Sequence, residues 1–569
     1  MKQGRLALAI ALVSVPIAAA SGTTPSGRLI KVLSEEMDYS MANLAMADGT
    51  KPYFMAYSIT DLERVSIRAE LGALTEDDVE HTRLLDVDVR VGDYALDNTH
   101  KIRGGFMGFD PSDFMARNAT PISLSGDSTS IKQAVWLATD RSFKRAAKKF
   151  QRVQTNLKTK VEEEDKSDDF TRQKPNVYSE PEVRLSLDRE AWAKRLRDLS
   201  NLARKHPLIY NSGVSLSASA QNKYFVSSEG SRIQHGQKYL RIYLQASTKA
   251  QDGMDLAQYR TFSAASEENL PGEAELTKEF QKVIDQVLAL REAPLVEPYA
   301  GPAILMNRAA AVFFHEIFGH RIEGHRQKDV EEGQTFTKKI DQEVLPEFIS
   351  VHDDPTKARW DKTDLRGYYK YDDEGIASQD VTLVDNGVLK TFLLSRSPVQ
   401  DFTSSNGHGR RSPGNRIVSR MANTIVYSTK TTSFDGLRKM LVDECKKQDK
   451  PYGLLFNDIT GGYTGTRRMG AQTFKVLPVV VYRIYADGRE DELVRGVDIV
   501  GTPLTSFSKI IHTADDPDVF NGTCGAESGA VPVSGVSPSI LVSQIEVEKR
   551  RRDQDKPPLL SPPIALSGP

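Results

Sequence analysis

Apolar and polar positions change places along this chain with two different periods. Residues 84–91 alternate at every second position, and so do residues 223–228 and 238–246 on either side of Glu229-Gly230, a pattern that predicts strands and a hairpin. Short apolar stretches such as Tyr53-Phe54-Met55-Ala56-Tyr57 extend this reading, with a helix or two, from Gly27 to about Trp136. A helical period governs residues 192–205 and 276–290, the second placing Phe280, Val283, Ile284, Val287 and Leu288 on one face. Glu292-Ala293-Pro294 ends that helix and sets the expected domain boundary. Beyond it, residues 381–384 and 388–394 flank Asp385-Asn386-Gly387, and residues 479–485 and 492–500 flank Asp487-Gly488; both are turn signals, because glycine accepts positive φ. The expected fold class is α+β in two domains, residues 21–294 and a sheet-rich 295–548.

Three stretches depart from these patterns. Residues 139–175 carry a basic helical run (Lys144, Arg145, Lys148, Lys149) that passes into Glu162-Glu163-Glu164-Asp165, the profile of a solvated helix and linker or of a partner-binding tail. Residues 549–569 are charged and then proline-rich, which predicts a loose tail. At the N-terminus Lys2 and Arg5 precede an apolar run from Leu6 to Ile17 and then Ala18-Ala19-Ala20, the pattern of a signal peptide over residues 1–20. The run falls short of the roughly 20 residues that span a bilayer. An exported protein, periplasmic or extracellular and without a stable membrane span, is therefore expected, with an uncleaved anchor as the alternative.

Composition narrows the classes further. Of 569 residues, 39% are hydrophobic and 27% charged, the usage of a chain that buries a core. The 75 basic and 77 acidic residues leave a net charge of -2, so no global field gathers nucleic acid. Only Cys445 and Cys524 occur, too few for a disulfide framework. One structural disulfide or two separate thiols remain open.

The chemistry-bearing segment is Phe314-His315-Glu316-Ile317-Phe318-Gly319-His320, with Glu323, Gly324 and His325 following. Chance supplies about 0.01 His-Glu-x-x-x-His matches in a chain of this composition. The common zinc-peptidase spacing of four puts two histidines on one helical face, whereas a spacing of five separates them by about 140°. The two imidazoles can share an ion only if the helix widens or unwinds, and Gly319 makes that local distortion cheap. Two histidines need a third protein ligand, and catalysis also needs an open position. Cys524 is the candidate, in the glycine-rich stretch Asn521-Gly522-Thr523-Cys524-Gly525, read as a loop; Cys445 lies in a helical context and reads as a structural thiol. A purely structural histidine pair is the alternative.

With those residues in view, the sequence resembles the TldD/PmbA family of metallopeptidases. The resemblance continues through Glu323-Gly324, Tyr371-Asp372-Asp373-Glu374-Gly375, Gly409-Arg410-Arg411, Met421-Ala422-Asn423-Thr424 and Val531-Pro532-Val533, spanning roughly residues 295 to 548. It implies a TldD/PmbA-like architecture whose C-terminal domain carries the metal-site helix, with zinc (Zn2+) held by His315, His320 and Cys524 and Glu316 as general base. It also implies peptides or unfolded segments as substrates and a homodimer or a heterodimer with a related subunit. The rival reading is a non-catalytic binding or scaffold subunit, and a further one is a zinc enzyme acting on a different amide. Arg410, Arg411, Asn423, Tyr368, Tyr369 and Asp373 are candidates for substrate contact or for loop packing. Two departures stand out. His325 replaces a common aspartate, and Gly525-Ala526-Glu527-Ser528-Gly529 replaces the usual loop bearing lysine and glutamine.

Overall fold

A computed structural model describes residues 25–102, 119–158, 165–468, 473–550, 556–560 and 563. The signal-peptide segment, Glu162-Glu163-Glu164 and most of the 549–569 tail lie outside the described residues. The fold is mixed α/β with a sheet-rich C-terminal region.

Four long antiparallel strands dominate the N-terminal sheet, in the spatial order Ala73–Val91, Pro52–Glu70, Asn211–Ser227 and Arg232–Lys249. The two-residue period puts Met55, Tyr57 and Ile59 on the same face as Val65, Ile67 and Ala69. Each group is covered separately. Helices Pro25–Asn43 and Ser128–Leu157 close over the first, and helices Arg189–Ser200 and Glu273–Glu292 over the second. Between them sits buried Asp61, paired with Arg83 and His81. The opposite face presents Phe54, Ala56, Phe225 and Ile233 to Phe170 and Tyr371.

Helix Ser128–Leu157 corrects the solvated reading of its sequence. It starts before the basic run, is capped by Asp127, and buries Ile131, Val135, Ala138, Phe143, Ala146 and Val153 against the sheet. The basic residues take up the remaining surface of an amphipathic helix.

The C-terminal region contains two larger sheets. In one, strand Tyr299–Leu305 pairs with both Tyr452–Thr464 and Ile540–Lys549, which closes the strand path into a ring. The other is six-stranded, ordered Val388–Leu389, Val381–Asp385, Ile349–Asp353, Asn423–Ser428, Gly529–Ser537 and Asp518–Ala526. Helix Asn307–Ile317 lies between the sheets and touches strands of both. Ala309 through Phe314 are all buried, as a helix apolar on every side requires.

The hairpin at Asp385-Asn386-Gly387 forms, with Asn386 and Gly387 at positive φ, but its second strand stops at Leu389 rather than running to 394. The following residues leave the sheet, and Leu393 exchanges backbone hydrogen bonds with Ile322 and Gly324 instead. Cys445 and Cys524 are both buried free thiols, Cys445 within helix Phe434–Lys447. Among the described residues, no helix is long and apolar enough to cross a membrane.

Candidate metal centre

Helix Asn307–Ile317 ends two residues before Gly319, with Phe318 between them, and residues Gly319–Arg321 form a 3-10 turn. A Cβ on Gly319 would fall 1.9 Å from Met421 Sδ, so this close approach is open only to glycine. Arg321 secures the helix end: its guanidinium donates to the Glu316 and Ile317 carbonyls at 2.9 and 3.2 Å and to that of Gly465 at 3.0 Å. The first two are carbonyls of the last helical turn, which lack intrahelical partners. The change from α to 3-10 geometry turns His320 back toward His315, and their ring centroids stand 5.0 Å apart.

Cys524 approaches from the other sheet. It lies on strand Asp518–Ala526, opposite Val531, rather than in a loop, and that strand is the edge of its sheet. Its Sγ is 3.2 Å from His315 Nε2 and 3.3 Å from His320 Nε2, while its carbonyl accepts from Arg420 at 2.8 Å. Among the described residues these three side chains form the one group of His, Cys, Asp or Glu whose donor atoms all lie within 4.8 Å of one another.

The donor set fits zinc. Tetrahedral coordination with Zn–S of about 2.3 Å and Zn–N of about 2.0 Å separates sulfur from nitrogen by about 3.5 Å, close to the spacings here. One soft sulfur and two imidazole nitrogens suit a borderline-soft ion. Burial opposes the Cys524 thiolate, but His320 and His315 outweigh it and hold the thiol well below its ordinary range. Burial likewise opposes charge on both imidazoles, and the Cys524 thiolate more than offsets it, leaving His315 raised and His320 well raised. Burial pushes the Glu316 carboxyl up. Strand Tyr452–Thr464 passes directly over this carboxylate: a Cβ on Gly462 would sit 2.7 Å from Glu316 Cγ.

A charged network behind the donors was not legible in the sequence. Buried Glu323 lies 3.4 Å from His320 Nδ1 and accepts from Arg326 at 2.8 Å, with Arg420 at 3.2 Å. Burial opposes its ionisation, yet His320 and Arg326 bring its carboxyl down to about 2. Such a carboxylate behind a ligating histidine fixes ring orientation. Arg326 also bonds Glu332 and Glu527. The two departures from the family pattern meet here, because His325 hydrogen-bonds Glu527 through Nε2. Glu323 had a signal, its spacing of three from His320; the Arg420 and Glu527 contacts are purely tertiary.

Most other candidate contact residues pack loops. Asn423 is fully buried and donates to the Asp354 and Lys357 carbonyls. Arg410 donates to the Met421 carbonyl and Tyr369 to that of Gly407, while Asp373 accepts from the Arg411 backbone amide and pairs with Lys223. Arg411, in contrast, reaches a cavity of about 1400 Å³ that also holds His315, Glu316, His320 and Cys524. Tyr368 is not among the residues lining that cavity.

Residues 299–549 match the family model described as PmbA/TldA metallopeptidase C-terminal domain. A metalloprotease of Archaeoglobus fulgidus is 29% identical over 260 residues, which are 45% of this chain and 56% of that protein. A zinc metalloprotease TldD homolog of Saccharolobus solfataricus is 26% identical over 279 residues, 46% of this chain and 57% of its own length. The chain thus spans little more than half the length of these relatives. Among solved structures, TldE from Thermococcus kodakarensis shares the fold, with a TM-score of 0.60 and 14% identity over 92% of this chain and 100% of that one. The family match and the relatives' names support a metallopeptidase of the TldD/PmbA kind, and the names imply a metal.

Proposed function

We propose that the protein is a zinc-dependent peptidase that hydrolyses peptides or unfolded polypeptide segments. The observation that carries this reading is the convergence of His315, His320 and Cys524 beside Glu316 at one wall of a large cavity. Zinc held by those three side chains would supply Lewis acidity there, enough to bring the ionisation of water near neutral pH. Glu316 takes the proton of the attacking water and returns it to the leaving amine. Its burial strengthens it as a proton acceptor, and the Arg321 bonds at its own carbonyl hold the helix end in place. Glu323 keeps His320 turned toward Cys524.

The test is a mixture of unfolded peptides incubated with the zinc-loaded chain and with Glu316→Ala, the products read by mass spectrometry. Cleavage by the first alone, with equal zinc in both, supports the reading. Equal cleavage by both removes Glu316 as the base. Zinc binding without cleavage by either favours a binding or scaffold subunit, the second reading. That alternative is motivated by the likeness of fold to TldE, and the retention of all three donors beside Glu316 stands against it. Assembly as a homodimer or a heterodimer with a related subunit, and export to the periplasm or the medium, belong to the same proposal. Native mass measurement tests the first, and a mature N-terminus at Met1 would remove the second.

A further inference from the structure

The cavity has a second wall that this reaction does not use. Helix Ser128–Leu157 buries one face in the N-terminal sheet and turns another toward the cavity, placing Arg145, Lys148, Lys149 and Arg152 there at helical spacings of three, four and seven from the first. Arg416 joins them from the C-terminal region. Among the described residues, Arg145, Lys148 and Arg416 have no carboxylate within ion-pair distance; Arg145 makes one hydrogen bond, to Ser142 Oγ.

The acids of the same cavity are arranged differently. Asp329 and Glu331 are paired with Lys101, Glu332 and Glu527 with Arg326, and Asp88 with Arg90. Negative charge along this surface is largely met from within the chain, while three cations face the cavity unmatched. In a partly enclosed site such cations favour an anionic guest.

Resting on the peptidase reading, we propose that the cavity selects acidic peptide segments, with Asp or Glu side chains of the substrate received by Arg145, Lys148 and Arg416 while its backbone lies against the metal donors. A peptide suits this wall better than a nucleic acid. The unmatched cations are few and discrete, and the rest of the cavity carries carboxylates paired within the chain, so it offers no continuous track of positive charge for a phosphate backbone. Among the described residues lining the cavity, Tyr463 is the one Phe, Tyr or Trp side chain, and one ring does not stack successive bases.

The experiment uses three quenched fluorescent peptides, identical except for Glu, Gln or Lys at the variable positions. Cleavage is measured with the zinc-loaded full chain, and binding by anisotropy with the zinc-loaded Glu316→Gln variant. The Glu peptide should exceed the Gln peptide roughly tenfold in both, with the Lys peptide weakest, since three exposed pairs each add a small factor. Raising salt from about 50 to about 500 mM should shrink the ratio. The triple variant Arg145→Gln, Lys148→Gln, Arg416→Gln should bring the Glu-to-Gln ratio to about one, and Lys148→Arg alone should keep it. Cleavage of all three peptides at one rate would overturn the proposal and leave the peptidase reading standing. Charge-selective binding without any cleavage would do the reverse. Displacement of the Glu peptide by a single-stranded oligonucleotide, at concentrations where excess unlabelled Glu peptide has no effect, would also overturn the proposal, in favour of a polyphosphate ligand.

Discussion

The two walls of the cavity differ in how their charges are matched. At the candidate metal centre, Glu323 is buried among His320, Arg326 and Arg420, Arg326 is shared with Glu332 and Glu527, and Arg321 donates to three carbonyls. On the helix Ser128–Leu157 wall, Arg145 and Lys148 stand exposed and without carboxylate partners among the described residues. The first arrangement makes each group depend on the others, because removing one member of a buried network leaves uncompensated charge. The second has no carboxylate partner to depend on among the described residues. A surface that fixes reacting atoms needs the first kind of matching, and one that meets a guest has to leave charge unmatched.

The largest expected effect breaks the first wall. Glu323→Gln removes the charge that Arg326 and Arg420 face and weakens the hold on His320 Nδ1. Urea unfolding should show a loss of about 3–5 kcal/mol, and zinc titration should show roughly 10- to 100-fold weaker binding. A variant as stable as the parent would mean that the two arginines find other partners.

Next in size is a pH effect at the junction of the two regions. His235 lies opposite Lys223, whose side chain pairs with Asp373, and its ring tilts against Tyr371. Burial, with Lys223 adding to it, lowers its pKa from 6.5 to about 4. A histidine held neutral in the folded state contributes stability that is complete above the unfolded value of 6.5 and is lost as pH falls toward about 4. That window is worth about 3 kcal/mol. His235→Gln should lose less stability than the parent between pH 6.5 and 4, and parallel curves for the two proteins would refute the assignment.

Gly319→Ala is expected to cost about 1–3 kcal/mol, since the new methyl group displaces the buried Met421 thioether. It should also loosen zinc binding by disturbing the turn that brings His320 to His315. Unaltered zinc affinity with lowered stability would separate the packing role of this glycine from its place in the metal site.

What the sequence revealed of these walls follows from the range of the interactions. His315, Glu316, Gly319 and His320 are close in the chain, so their grouping and the break in the helix were both legible. The helix and hairpin periods around residues 223–246, 276–290 and 381–389 were legible for the same reason. Glu323 could be read as spaced from His320, but its bond to Arg420 and the meeting of His325 with Glu527 join residues about 100 and 200 positions apart, for which no local period exists. Cys524 was legible as a residue and misread as a loop, because glycines at 522 and 525 resemble a turn when the partner strand Gly529–Ser537 is out of view. The buried face of helix Ser128–Leu157 was hidden by the lysines and arginines between Ile131, Val135, Phe143 and Val153. Two of those same residues, Arg145 and Lys148, stand on the cavity wall without carboxylate partners among the described residues.

The smallest expected effect tests that wall directly. Arg145→Gln with Lys148→Gln removes two exposed charges that have no carboxylate partner among the described residues, so the unfolding midpoint should shift by no more than about 0.5 kcal/mol in equivalent stability. Zinc content should be unaltered, because neither residue touches the network around Glu323. The comparison is sharpest when this double variant and Glu323→Gln are measured side by side in the same buffer. If the charges on the helix held the two regions of the fold together, the double variant would lose stability as Glu323→Gln does, and the distinction between a wall built inward and a wall open to a guest would collapse. If stability and zinc are retained while the binding of acidic peptides weakens, the charges act outward.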